Sequence, residues 1–208
     1  MRLKYHWWTF KKAISNHLCD EIVKYANLKN FEKGTVGSPK KELNLEEYQN
    51  NLKQIRDSNV VWLNEQWVHN EIIPYVTQAN INANWNFELN GFESLQFTKY
   101  DVGQFYDWHP DQFEPVNEED NPKKTIRKLS VSVLLSDEKD YEGGDLQFRD
   151  QVDGINRDPF ISTKISTVEE KSRGTVIVFP SFMWHRVTPV TKGSRYSLVM
   201  WNTGYPFR

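Results

Sequence analysis

Two histidines, one aspartate and one arginine carry the chemistry offered by this chain of 208 residues. In YDWHPDQF (106–113), only Pro110 separates His109 from Asp111. On an extended backbone side chains i and i+2 share a face, so the pair can grip one object together, and a metal ion is the natural candidate. Two ligands make a poor site. His185 in PSFMWHRVTPV supplies a third, after a buried apolar run and a tight Pro-Ser turn and at the start of the next strand. Two neutral imidazoles and a carboxylate fill one face of an octahedral ion and leave the other open, which suits non-haem Fe(II). His6, His17 and His69 lie in the N-terminal part and have no comparable neighbours. Ten residues beyond His185 stands Arg195, in GSRYSLVMW. On a strand it shares a face with Ser197, so guanidinium and hydroxyl can converge on one anion, and the planar fork matches both oxygens of a carboxylate. Burying that cation beside Leu198, Val199 and Met200 is costly without an anionic partner.

Elements must hold these residues in place. SNHLCDEIVKYANL (15–28) predicts a first helix, with Ser15 as N-cap and Leu18, Ile22 and Tyr25 on its apolar stripe. The polar stretch 31–51, with Gly34, Gly37 and Pro39, predicts a long loop. A second helical stretch is expected from about Val61, through Trp62, Trp67 and Ile72, bent or divided at Pro74. After Asn90-Gly91 come short β runs: FESLQFTKY, QFYDWHPD, RKLSVSVLLS, LQF, STKISTV, GTVIVFP, MWHRVTPV and SRYSLVMWNTG. Helices first and strands afterwards predict a mainly β fold, a sandwich or barrel buttressed by N-terminal helices. Two polar segments, 113–125 and 150–161, interrupt the β region. They read either as solvated loops or as carriers of substrate contacts, which such loops on a rigid scaffold commonly are.

Composition sets the outer bounds. Hydrophobic residues make up 38% and charged residues 26%, a soluble globular balance, and the length suits one domain. The formal net charge of −2 gives none of the strongly basic footprint expected of a duplex nucleic-acid binder. Cys19 is the one cysteine. It excludes an intramolecular disulfide and any Cys-rich zinc or iron–sulfur site, and it reads as a small buried hydrophobe on the first helix. MRLKYHWWTFKKAI lacks an apolar core long enough for a signal peptide, and no stretch approaches the roughly 20 apolar residues of a membrane span. A soluble, cytoplasmic protein is expected.

The sequence resembles the iron- and 2-oxoglutarate-dependent oxygenases, closest to their prolyl 4-hydroxylase-like branch. The resemblance rests on Tyr100-Asp101-Val102-Gly103, Tyr106, the HPD of His109–Asp111, His185 and Arg195-Tyr196-Ser197. RKLSVSVLLS and EGGDLQF are similar to the family's mid-barrel strands, and IRDSNVVWL (55–63) to an Arg-x-Ser segment of its helical region. It covers about residues 55–204.

The resemblance implies a double-stranded β-helix, or jelly roll, in a single domain over 1–208, with helical support to about residue 90. It implies that His109, Asp111 and His185 bind Fe(II) and that Arg195 pairs with the distal carboxylate of the cosubstrate 2-oxoglutarate, Ser197 supporting it. Tyr100 matches a tyrosine that hydrogen-bonds the cosubstrate, or plugs the barrel. Trp201 matches a tryptophan lining the same pocket, or belongs to the core. Trp108 and Trp184, beside the two histidines, read as apolar shielding of the metal or as ordinary packing. The implied reaction hydroxylates a C–H bond with dioxygen and releases succinate and CO2, ascorbate serving as accessory reductant. Prolyl residues of a protein or peptide are the leading substrate; a free amino acid or small metabolite is the runner-up, and a non-catalytic metal-binding jelly roll the alternative of another class. Several collagen-type hydroxylases carry lysine where this chain has Arg195, which weakens a collagen-like substrate. Nucleic-acid demethylases of the superfamily usually show Asn-x-Tyr before the metal motif and a second arginine after the first; Thr98 and Trp201 occupy those positions here and argue against base repair.

Overall fold

The computed structural model describes residues 3–36, 54–112, 125–150 and 164–207. The N-terminal part supplies β1 (Trp8–Phe10), α1 (Asn16–Asn27), β2 (Glu32–Lys33), β3 (Arg56–Asp57), β4 (Asn59–Leu63) and α2 (Gln66–Asn82). It is followed by β5 (Gly91–Phe92), β6 (Leu95–Tyr100), β7 (Phe105–His109), β8 (Ile126–Leu134), β9 (Tyr141–Gly143) and β10 (Leu146–Asp150). The chain closes with β11 (Lys164–Thr167), β12 (Val176–Pro180), β13 (His185–Val187), β14 (Val190–Gly193) and β15 (Arg195–Gly204).

The larger sheet runs β1-β12-β8-β15-β6-β4-β2, with β5 added against β15, and the smaller runs β11-β10-β13-β7-β3. β9 and β14 form a separate ribbon. Side-chain alternation gives the larger sheet two different faces. Phe97, Val133, Leu198, Met200, Val61, Leu63, Val176 and Val178 point one way, onto Cys19, Ile22 and Ala26 of α1 and Val68, Ile72, Val76 and Ala79 of α2. The opposite face mixes polar and apolar residues: Ser197 lies across from Thr98, and Val199 lies between Gln96 and Ser132. That face turns toward the smaller sheet, where Tyr100, Leu134, Ile177 and Phe179 pack on Leu146, Phe148 and Val187. The result is a double-stranded β-helix with helices on its outer, apolar side.

Ser15 caps α1, its Oγ accepting from the Leu18 amide at 3.2 Å, and Cys19 is fully buried on that helix. The second helical stretch begins later than the sequence suggests. Val61 and Trp62 belong to β4, where Val61 pairs with Phe97 and Trp62 with Gln96. β-branched residues fit a pleated surface that buries alternate side chains, and that tertiary pairing prevails over a helical reading of the tryptophan and isoleucine spacing. α2 then continues through Pro74 as one helix. Arg56 and Ser58 lie on and beside a strand, not in a helix. Most of the expected loops, 37–51, 113–124 and 151–161, lies outside the described residues. Among the described residues no helix is long and apolar enough to cross a membrane.

Candidate metal and anion site

One strand irregularity assembles the metal cluster. His185 pairs with His109 and Val187 with Tyr106, so Arg186 on β13 faces both Asp107 and Trp108 on β7. This bulge adds one residue to β7 and brings Tyr106 and His109 to the same face, where plain alternation would set them on opposite faces. The Tyr106 ring lies flat on the His109 imidazole, with centroids 3.4 Å apart and planes 12° apart. Trp108, read either as shielding or as ordinary packing, does not line the cavity beside the cluster. Its indole is held between the guanidinium groups of Arg149 and Arg186, at 4.4 and 4.6 Å. Phe179, 4.7 Å from the His185 ring, and Phe148, 6.1 Å from it, pack on that ligand candidate instead.

Asp111 lies just past the end of β7 and is fixed by its backbone. The amides of Asp111 and Gln112 both donate to the Ser181 carbonyl, at 2.8 and 2.9 Å. The Ser181 amide donates to the Lys128 carbonyl at 3.0 Å, and the Ser181 and Ser130 hydroxyls are bonded at 2.8 Å. His109 Nδ1 lies 2.7 Å from the Asp107 carbonyl and His185 Nδ1 2.9 Å from the Met183 carbonyl. A carbonyl only accepts, so each Nδ1 carries a proton, which leaves Nε2 as the ligating atom of each ring. Asp111 Oδ1 is 3.8 Å from His109 Nε2 and Asp111 Oδ2 is 3.5 Å from His185 Nε2. The three donor atoms lie within 4.8 Å of one another, and all three residues are buried.

Protonation states suit metal ligation. Burial, reinforced by the neighbouring His185, pushes the His109 imidazole down to about 3. Burial alone would raise the Asp111 carboxyl, but His185, His109 and Arg127 outweigh it and hold the group below the usual carboxylate range. Neutral imidazole and ionised carboxylate are the forms that coordinate a divalent cation. The donor set therefore fits Fe(II).

A cavity opens beside the cluster, lined among others by Tyr100, Tyr106, Arg195, Ser197 and Trp201. Arg195 is 2% exposed. Its Nη1 donates to Ser197 Oγ at 3.0 Å, its Nε has no partner among the described residues, and its guanidinium sits 5.6 Å from the Tyr100 ring centroid. Gly144, at φ +59°, lies against the arginine stem; a Cβ there would come 2.7 Å from Arg195 Cδ. The structure thus brings together all seven residues singled out from the sequence: His109, Asp111, His185, Arg195, Tyr100, Ser197 and Trp201. Trp201 Nε1 is a buried donor without a partner among the described residues. Arg127 covers its ring at 3.9 Å, and Glu93 holds Arg127 through bonds of 2.7 and 2.5 Å.

Sequence reasoning did not reach Arg127, Phe179, Gln96 or a role for Arg56. Arg56 and Ser58 have the same i, i+2 spacing as Arg195 and Ser197, and that echo was a readable signal. Arg127 reaches Trp201 through a register shift between Asn202 and Thr203 that no composition rule announces.

A double-stranded β-helix that presents two imidazoles and a carboxylate beside a buried arginine defines a class of mononuclear metal oxygenases. Residues 95–203 match the 2OG-Fe(II) oxygenase superfamily, and the chain belongs to that family. A PKHD-type hydroxylase of Synechococcus sp. (strain CC9605) is 34% identical over 114 residues, 54% of this chain and 42% of that protein. Another from Aliarcobacter butzleri (strain RM4018) is 35% identical over 107 residues, 50% of this chain and 41% of the relative. The chain thus spans less than half the length of these curated relatives. A viral collagen prolyl hydroxylase from Paramecium Bursaria Chlorella virus-1 superposes with a TM-score of 0.63 at 18% identity over 97% of both chains. A Pseudomonas putida prolyl-4-hydroxylase gives 0.61 at 18% identity, over 96% of this chain and 92% of that one. At these identities the solved structures establish the fold.

Proposed function

We propose that this protein is a 2-oxoglutarate-dependent dioxygenase that hydroxylates a C–H bond of a prolyl residue in a protein or peptide. The observation that carries the reading is the meeting, in one cavity, of an open three-ligand metal cluster and a buried arginine lacking a carboxylate partner among the described residues. In this reading His109, Asp111 and His185 hold Fe(II), and Arg195 with Ser197 binds the distal carboxylate of 2-oxoglutarate. Tyr100 and Trp201 line the same pocket and orient the cosubstrate. Bound iron would supply activation of dioxygen at its open face. The chain's own part is to fix the tautomer of each histidine, keep Asp111 ionised and exclude water with Tyr106, Phe148 and Phe179. A purely structural metal site would need no second charged anchor in its cavity, which disfavours a non-catalytic module. The names of the PKHD-type and prolyl hydroxylase relatives support the prolyl substrate, and a Trichoplax adhaerens neighbour is a complex with a peptide fragment.

The test is incubation with Fe(II), ascorbate, 2-oxoglutarate and a pooled peptide and metabolite library, followed by mass spectrometry. A peptide gaining one oxygen at proline, with matching succinate, is expected. Oxidation confined to free metabolites would move the assignment to the small-molecule hydroxylases. Succinate and oxidised product both missing from every pool would leave a metal-binding module.

Gly144→Ala supplies a subtler check on Arg195. The left-handed backbone disfavours any side chain by about 1–2 kcal/mol, and the added methyl must displace the arginine stem. A roughly tenfold or greater loss of 2-oxoglutarate affinity is expected, with metal affinity retained. Isothermal titration with each ligand separates the two.

A further inference from the structure

The cavity contains one charge too many. Among the described residues its charged lining consists of Arg56, Asp111 and Arg195 beside the two histidines. Fe(II) and the 2-oxoglutarate dianion cancel each other, and Asp111 cancels Arg195. Arg56 is left over. It is 6% exposed, and among the described residues no carboxylate lies within ion-pairing distance of it. Arg127, the other guanidinium nearby, is paired with Glu93 and has no such deficit.

All partners of Arg56 are neutral. Its Nε donates to Ser58 Oγ at 2.8 Å, Nη1 to the Thr35 carbonyl at 3.1 Å and Nη2 to Gln96 Oε1 at 2.7 Å. A guanidinium has five N–H donors, so these three bonds leave one N–H on each terminal nitrogen. Neutral acceptors and a flanking ring do not neutralise a buried cation, whereas an anion does. The position is specific. The Arg56 guanidinium lies 4.5 Å from the Tyr106 ring centroid, and the His109 imidazole is stacked on that tyrosine with centroids 3.4 Å apart. An anion on Arg56 therefore sits one aromatic ring away from a metal ligand.

We infer that Arg56 receives a carboxylate of the substrate, so that the compound oxidised carries an anionic group close to the C–H bond attacked. This rests on the oxygenase reading above and narrows its substrate class.

The test uses the full chain loaded with Mn(II) and 2-oxoglutarate, where the paramagnetic ion relaxes the protons of any small molecule bound beside it. Three probes are compared: N-acetyl-L-proline, N-acetyl-L-aspartyl-L-prolinamide and N-acetyl-L-prolinamide. At least one carboxylate probe is expected to be relaxed at tenfold lower concentration than the amide. Which one responds tells whether the carboxylate belongs to the oxidised residue or to its neighbour. Arg56→Met should erase the difference and Arg56→Lys retain part of it, while both variants still bind 2-oxoglutarate. Equal response to acid and amide, or no response to any probe, overturns the inference. So does an Arg56→Met protein that keeps the preference and shows only a lower Tm, for Arg56 would then be merely an anchor for the Gly34–Thr35 backbone packed on it. If the wild-type protein fails to take up 2-oxoglutarate with Mn(II), the oxygenase reading itself has failed, and the inference with it.

Discussion

Asp111→Ala is expected to lose metal binding and turnover together while the fold survives. Asp111 is the one anionic donor in the cluster, so its removal leaves two neutral imidazoles to hold a divalent cation beside the cationic Arg195 and Arg56. Altering a residue that merely supports a metal ligand typically costs 10–100-fold in affinity, so losing a charged ligand should exceed about 100-fold. The strand end is kept because the contacts to Ser181 run through the Asp111 and Gln112 amides, which alanine retains. Anaerobic titration with Fe(II), read beside circular dichroism, tests this. An Asp111→Ala protein with unchanged metal affinity would remove Asp111 from the ligand set. His109→Ala should behave in the same way.

Arg195→Met should separate the two ligands. Breaking a buried, hydrogen-bonded charge pair costs roughly 2–5 kcal/mol, about 30-fold or more in Kd. Methionine keeps an apolar stem against Gly144 but provides no donors, so 2-oxoglutarate affinity should fall by that factor with Fe(II) affinity unchanged. The charge-transfer absorption of the iron–cosubstrate complex would then form only at much higher 2-oxoglutarate concentration. Unaltered cosubstrate affinity would place the carboxylate elsewhere, with Arg56 the next candidate.

The site was legible where chemistry is written in spacing. Arg195 and Ser197 sit two apart on β15, so their convergence followed from strand geometry; His109 and Asp111 have the same interval, but Asp111 lies past the end of β7 and is placed by its backbone bonds to Ser181. The fold class followed from the change from helical to alternating patterns after Asn90. What escaped depended on partners distant in the chain. Trp62 reads as helical by its neighbours and becomes a strand residue only because β6 lies alongside it. Trp108 looks like a shield from its place beside His109, yet the β7 bulge turns it outward between two arginines. That bulge is a mismatch between two strands, and no single strand encodes it. Phe179 reads as an ordinary buried strand residue, and only the arrival of β13 sets it against His185.

Ser181 bears on metal uptake as well. It holds Asp111 on one side and Lys128 and Ser130 on the other, and His185 begins the strand just beyond it. The donors are tied together by bonds that do not run through an ion. These contacts hold the donors near one another, so less chain ordering is left to offset the free energy of binding a cation. Metal uptake then needs no rebuilding of these contacts, while a bound cation still adds to the stability of the fold by mass action.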